Sequence, residues 1–148
     1  MKHIMRLLPV LFVLAFYSCK TTAPLPVAEK EKIEDTLWVL ETMRKKQMKY
    51  SDEQDRISIR FNTESGMVNG RSGCNQYFGK FALQGKNLTF TDNIGSTRMA
   101  CFQELMTLEN TYLNILKTVN KYQIADGKLH LYQNEQVVLT FSPEIEVK

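Results

Sequence analysis

Histidine is scarce in these 148 residues: there are two, His3 and His130. A serine-based triad needs a histidine base, and His130 has no nucleophile motif beside it, so most histidine-based catalysis is excluded. Zinc ligands at useful spacing are missing as well. Apolar runs are short. The longest, residues 7–16, cannot span a bilayer as a helix. Charge of one sign is not in excess, with net +3 and 24% charged residues. The nearest thing to a basic run is Arg44, Lys45, Lys46 and Lys49, which reads as a solvated turn, so no nucleic-acid partner is expected. Gly70 and Gly73 are not followed by the lysine and helix of a phosphate-binding loop. No repeat period is present. The remainder, 43% hydrophobic, is ordinary globular composition and enough for one domain.

Residues 1–18 read as an export signal. Lys2 and Arg6 make a positive start, residues 7–16 an apolar middle, and Ser18 a small residue before Cys19. The stretch LAFYSC resembles a bacterial lipoprotein signal, with Phe16 where leucine is usual. The resemblance implies that Cys19 is lipidated and becomes the new N-terminus. The competing reading is an ordinary signal with an incidental cysteine, but bulky Phe16 and Tyr17 leave it no A-x-A cleavage site. Removing residues 1–18 leaves 17 Lys plus Arg against 16 Asp plus Glu, a net of +1. Residues 19–32, with Pro24 and Pro26, read as the lipidated cysteine and a flexible tether, and residues 33–148 as the domain. Lys20 is not the aspartate that retains many lipoproteins in the inner membrane. The expected place is therefore the outer membrane, with the domain in the periplasm or at the surface.

If Cys19 carries lipid, Cys74 and Cys101 remain, an even pair in an oxidising compartment, which favours a disulfide. The rivals are a redox-active thiol pair and a soft-metal site with Met99 and Met106, both weakened by the absence of C-x-x-C spacing.

The domain reads as α+β: a curled, barrel-like antiparallel sheet with one main helix. Residues 36–43 alternate, and so do Ile57, Ile59 and Phe61 against Ser58, Arg60 and Asn62. Further strands are expected at 67–71, at 79–84 and 86–91 around Gly85, and at 122–125 and 129–132 around Asp126-Gly127. A last one falls at 137–141. Over residues 102–119, Phe102, Leu105, Met106, Tyr112, Leu113 and Leu116 recur at helical steps. Glu109 falls in the middle of that stripe. A buried carboxylate is costly unless paired, and Arg98 is the nearest candidate partner in sequence. A structural tie is the better reading of Glu109 than a catalytic acid.

Residues 70–79 read GRSGCNQYFG and residues 97–101 read TRMAC. The first resembles the G-x-x-G-C-N-x-Y-x-G motif, and the second the T-x-M-A-C motif, of the META domain family, which includes heat-shock lipoproteins of the HslJ type. Trp38, Leu40, Glu109, Tyr122, Gly127, Leu129, Leu131 and Phe141 extend the match over about residues 33–141. In physical terms, Gly70, Gly73 and Gly79 suit a crowded bend. Asn75 can brace that bend, and Tyr77 has a ring for the core edge. The Thr97 hydroxyl can brace the turn before the helix or cap it. The other reading of Asn75, Tyr77, Thr97, Arg98 and Glu109 is a small polar ligand site.

The expected function is a non-catalytic, lipid-anchored envelope module that binds an envelope protein or small ligand. No cofactor, metal or nucleic acid is expected, and the chain is expected to be a monomer. The family resemblance implies a role in stress tolerance. The alternative is an inhibitor of a periplasmic or extracellular hydrolase acting through an exposed loop such as residues 44–55. A third class is an enzyme using Glu109 or Arg98.

Overall fold

The structure is a computed structural model that describes residues 32–144, apart from 35 and 92. The expected signal, Cys19 and nearly all of the tether lie outside the described residues. The elements run in chain order as β1 Trp38–Met43, β2 Lys46–Gln47, β3 Ser58–Asn62, β4 Met67–Arg71, β5 Gln76–Gln84, β6 Asn87–Phe90, β7 Gly95–Ser96, α1 Gln103–Leu116, β8 Lys121–Ala125, β9 Lys128–Gln133 and β10 Gln136–Pro143.

Pairing is antiparallel along β1-β3-β4-β5-β6-β8-β9-β10, and β10 pairs back onto β1. The result is a closed eight-stranded barrel, a size whose interior side chains can fill, as the buried cluster from Trp38 to Phe141 does here. β1 is shared along one edge: Trp38 and Val39 pair with β3, while Thr42 and Met43 pair with β2. The thinnest seam lies between β6 and β8, where the register holds one residue pair, Asn87 with Lys121.

Alternation decides which side chains enter. Ile57, Ile59 and Phe61 are fully or almost fully buried, while Arg60 and Asn62 face out. On β5, Tyr77 and Phe81 point in; Gln76, Phe78 and Lys80 point out. Phe61 packs edge-on to Phe81 at 5.1 Å between ring centroids. Trp38 is wholly buried, and its indole N–H donates to the Ile33 carbonyl at 3.1 Å, which removes the cost of hiding that donor.

Turn chemistry matches the strands. Asp126 (φ 53°) and Gly127 (φ 72°) form the two-residue link of β8 to β9, the primed geometry that suits strand twist. Arg44 (φ 48°) and Lys45 (φ 68°) do the same between β1 and β2, so the basic cluster is an exposed turn.

The helix closes one end of the barrel. Tyr112, Ile115 and Leu116 of α1, with Val119 beyond it, join the main core. Here the expected apolar stripe needs correction. Phe102 is 82% exposed and Met106 39% exposed. The buried residues of α1 begin at Glu109, so its first turns overhang the barrel rather than pack on it. The helix also starts at Gln103 and ends at Leu116, short of the expected 102–119. At the opposite end, three hairpin turns and the incoming chain frame a groove of about 1120 Å³, with Ile33, Leu83, Tyr122 and Ile124 on its walls. Glu34 of that incoming chain accepts a hydrogen bond from the Thr63 hydroxyl.

Candidate functional site

Residues 70–79 supply the end of β4, a tight loop and the start of β5. Gly70 has no alternative: a Cβ there would fall onto the Ser58 carbonyl and against the Tyr77 ring. Between the strands, the Ser72 N–H and hydroxyl both donate to the Asn75 carbonyl, at 2.8 and 2.9 Å. Gly73 takes φ 107°, a conformation closed to most side chains. The loop so formed holds Asn75, which is 5% exposed, at the foot of α1.

Asn75 is the hub. Its backbone N–H donates to Glu109 Oε2 at 3.1 Å, and its Nδ2 donates to Glu109 Oε1 at 3.2 Å. Its Oδ1 accepts from the Thr97 hydroxyl at 2.9 Å and from the Met99 N–H at 2.8 Å. Thr97 is in turn held by Gln76, whose N–H donates to Thr97 Oγ1 at 3.2 Å and whose carbonyl accepts from the Thr97 N–H at 2.9 Å. Three chain segments thus meet on one side-chain amide. The Cys74–Cys101 disulfide binds two of them covalently, across a Cα–Cα distance of 6.2 Å. The Cys74 sulfur also lies 3.8 Å from the Met99 carbonyl oxygen, and as a disulfide sulfur it has no proton to donate there.

A second polar chain runs beside this hub. Tyr77 and Tyr112 are both fully buried, with hydroxyl oxygens 2.7 Å apart. Tyr77 donates to the Ser58 carbonyl at 3.1 Å, which leaves Tyr112 as donor to Tyr77. Burial pushes both phenols up from their usual value, Tyr77 well above it.

The candidate residues therefore divide. Asn75, Thr97 and Glu109 come together in one network, and Tyr77 lies in the adjacent one. Arg98 belongs to neither: Glu109 takes Asn75 as its partner, and Arg98 stands exposed between the two residues that bind Asn75. The reason is geometric. Thr97 and Met99 must both face Asn75, which turns the intervening side chain outward. The Thr97 hydroxyl braces the turn and does not cap the helix; the N-cap is Phe102, which makes no side-chain bond. Sequence reasoning missed Tyr112 as a polar partner. The available signal was its position three residues after Glu109 on the same helix face.

Chemically, the arrangement is closed. Both Glu109 oxygens accept hydrogen bonds, and among the described residues no buried side-chain nitrogen or oxygen lacks a partner. Among the same residues, no group of three or more His, Cys, Asp or Glu side chains gathers as metal ligands. No described helix is long and apolar enough to cross a membrane.

The META domain model matches residues 31–146, which takes in the barrel, the hub and the helix. The chain belongs to the META domain family. Two solved structures are similar to this META domain. One is the NMR structure of a protein from Burkholderia xenovorans, 29% identical, with a TM-score of 0.62, covering 77% of this chain and 85% of that one. The other, also solved by NMR, is 28% identical with a TM-score of 0.54 and covers 72% of this chain and 87% of that one. A comparison with curated proteins finds no match. The family motif residues of this META domain are thus the ones that tie its helix to its barrel.

Proposed function

We propose that this META domain is a lipid-anchored envelope module without catalytic activity, serving stress tolerance by binding a partner at its surface. The observation that carries the reading is the burial of the Asn75–Glu109 pair, with both Glu109 oxygens bonded to Asn75. Catalytic acids and bases need reach to a substrate; Glu109 is 7% exposed and both its oxygens already accept from Asn75. What the motif provides instead is a rigid support for exposed surface. The anchor half of the reading rests on Cys19 and the apolar stretch before it.

Two measurements test it. Intact mass of the chain from its native membrane, alkylated with and without reduction, is expected to show lipid on a chain beginning at Cys19 and two thiols only after reduction. A chain without lipid removes the anchor. For the non-catalytic half, Glu109→Gln is expected to lower stability while still restoring envelope-stress survival to a deletion strain, below its melting temperature. A folded Glu109→Gln chain that fails to restore survival overturns that half.

A further inference from the structure

Four large apolar side chains of the described residues are exposed: Phe78 at 55%, Met99 at 64%, Phe102 at 82% and Met106 at 39%. Single exposed apolar residues need no explanation, but each of these four lies within about five residues of Cys74 or Cys101, whose Cα atoms the disulfide holds 6.2 Å apart. Phe78 lies on the outer face of β5, and its ring covers Gly95, where a Cβ would come within 2.8 Å of it. Met99 follows the segment bound to Asn75. Phe102 adjoins Cys101, and the Met106 N–H donates to its carbonyl at 3.2 Å, which stacks Met106 one turn along. Exposed Arg98 directly precedes Met99, and exposed Lys80 follows Phe78 on the outer face of β5, with exposed Glu104 as the nearest acid on α1.

We propose that this patch rests on an anionic lipid bilayer, so that the anchored domain lies against the membrane instead of hanging free from its tether. The inference builds on the lipid-anchored reading of Cys19. A phenylalanine so exposed touches little of its own chain, and the soft acyl boundary accepts it without a preformed pocket. Two cations beside apolar side chains complement lipid phosphates. Reach is sufficient: the thirteen chain steps from Cys19 to Lys32 span at most about 45 Å. The nine-residue β5 is about 30 Å long, so either end of the barrel can meet the membrane.

The test uses the full-length chain, processed in a bacterial host and reconstituted into vesicles of phosphatidylethanolamine and phosphatidylglycerol with brominated acyl chains. Trp38 is wholly buried, so an indole introduced by Phe102→Trp reports its own surroundings. A control, Gln84→Trp, places the indole at an exposed site on the same strand as Phe78, about 20 Å further along. Emission from position 102 is expected to shift to the blue and to be quenched about twofold or more beyond the control. Lys80→Glu with Arg98→Glu is expected to remove most of that difference, as is omitting phosphatidylglycerol. Equal quenching at positions 102 and 84 on anchored protein overturns the proposal. So does a concentration-dependent dimer that hides position 102 without lipid, which would make the patch an interface between copies. A chain that does not sediment with vesicles defeats the anchor reading alone. The unlipidated chain is then titrated with the same vesicles, where quenching at position 102 supports the patch and its absence overturns it.

Discussion

The Glu109 carboxylate accepts two hydrogen bonds from Asn75, one from its backbone N–H and one from its side-chain amide, across 34 residues of sequence. This pair joins the closing helix to the β4–β5 loop, and its donors and acceptors are fully specified. Asn75 Oδ1 is occupied by Thr97 and Met99, so the amide cannot rotate to suit a changed partner. Glu109→Gln therefore sets one amide donor against another. The expected loss is about 1–3 kcal/mol of unfolding free energy, read by denaturant titration.

Asn75→Asp is expected to do more harm, with a distinctive pH dependence. The new carboxylate would face Glu109 at hydrogen-bond distance, and two carboxylates that close cannot both ionise cheaply. One of the pair is held protonated, so its pKa in the folded chain lies above its unfolded value. Stability is then greatest at low pH and falls as the pH rises through that raised value. Melting temperature measured from about pH 4 to pH 8 is expected to fall more steeply for Asn75→Asp than for the unchanged chain.

Tyr77 and Tyr112 are expected to behave as one unit. Tyr77→Phe strands the Tyr112 hydroxyl and leaves the Ser58 carbonyl without its phenol donor, at a cost of about 1–3 kcal/mol. Tyr112→Phe leaves Tyr77 its bond to Ser58 and is expected to cost less. The double substitution is expected to cost less than the sum of the two, with a coupling of about 0.5 kcal/mol or more in a double-mutant cycle. Strict additivity would mean that the 2.7 Å contact contributes nothing.

How far this site was legible follows from where its information lies. Parity, once Cys19 is set aside, pointed to the Cys74–Cys101 pair, because disulfide logic is a counting argument. The turn at Asp126-Gly127 was legible because its chemistry is local. At Arg44-Lys45 the charges signal only a solvated turn, since neither side chain signals positive φ. Two-residue β2 and β7 are too short to carry a period. Charge suggested Arg98 as the partner of Glu109, and the fold chose an uncharged amide that chain distance concealed. The exposed Phe102 and Met106 fit a helical stripe perfectly well. Periodicity shows which residues share a face, but not how much of that face another element covers.

Two buried phenols and a half-buried one make a prediction at high pH. Tyr50 is pushed up to about 12, chiefly by burial, and Tyr77 and Tyr112 are raised by the same cause. An unfolded tyrosine ionises near its ordinary value of 10.0. Above that pH the unfolded chain releases protons that the folded chain keeps. The stabilisation is complete below pH 10 and is lost as the pH rises through 10 toward the folded values. Tyrosinate absorbance after a jump to about pH 12 is expected to show a slow phase with the rate of unfolding followed by circular dichroism. Immediate ionisation of all tyrosines would contradict the buried chain.

Glycine substitutions separate steric need from conformational need. At Gly85, φ is 61° and nothing lies within 4 Å of an added Cβ, so Gly85→Ala meets only left-handed strain, about 1–2 kcal/mol. Gly70 has ordinary backbone, but its Cβ would collide with the Ser58 carbonyl, the acceptor used by Tyr77. Relief requires β3 and β4 to part, which also breaks the Tyr77–Tyr112 chain. Gly70→Ala is therefore expected to cost at least about 3 kcal/mol, the upper range for overpacking, and to expose the buried phenols to earlier titration. If the two alanine variants melt at the same temperature, close approach at Gly70 is not what the barrel requires there. The motif glycine would then need another explanation.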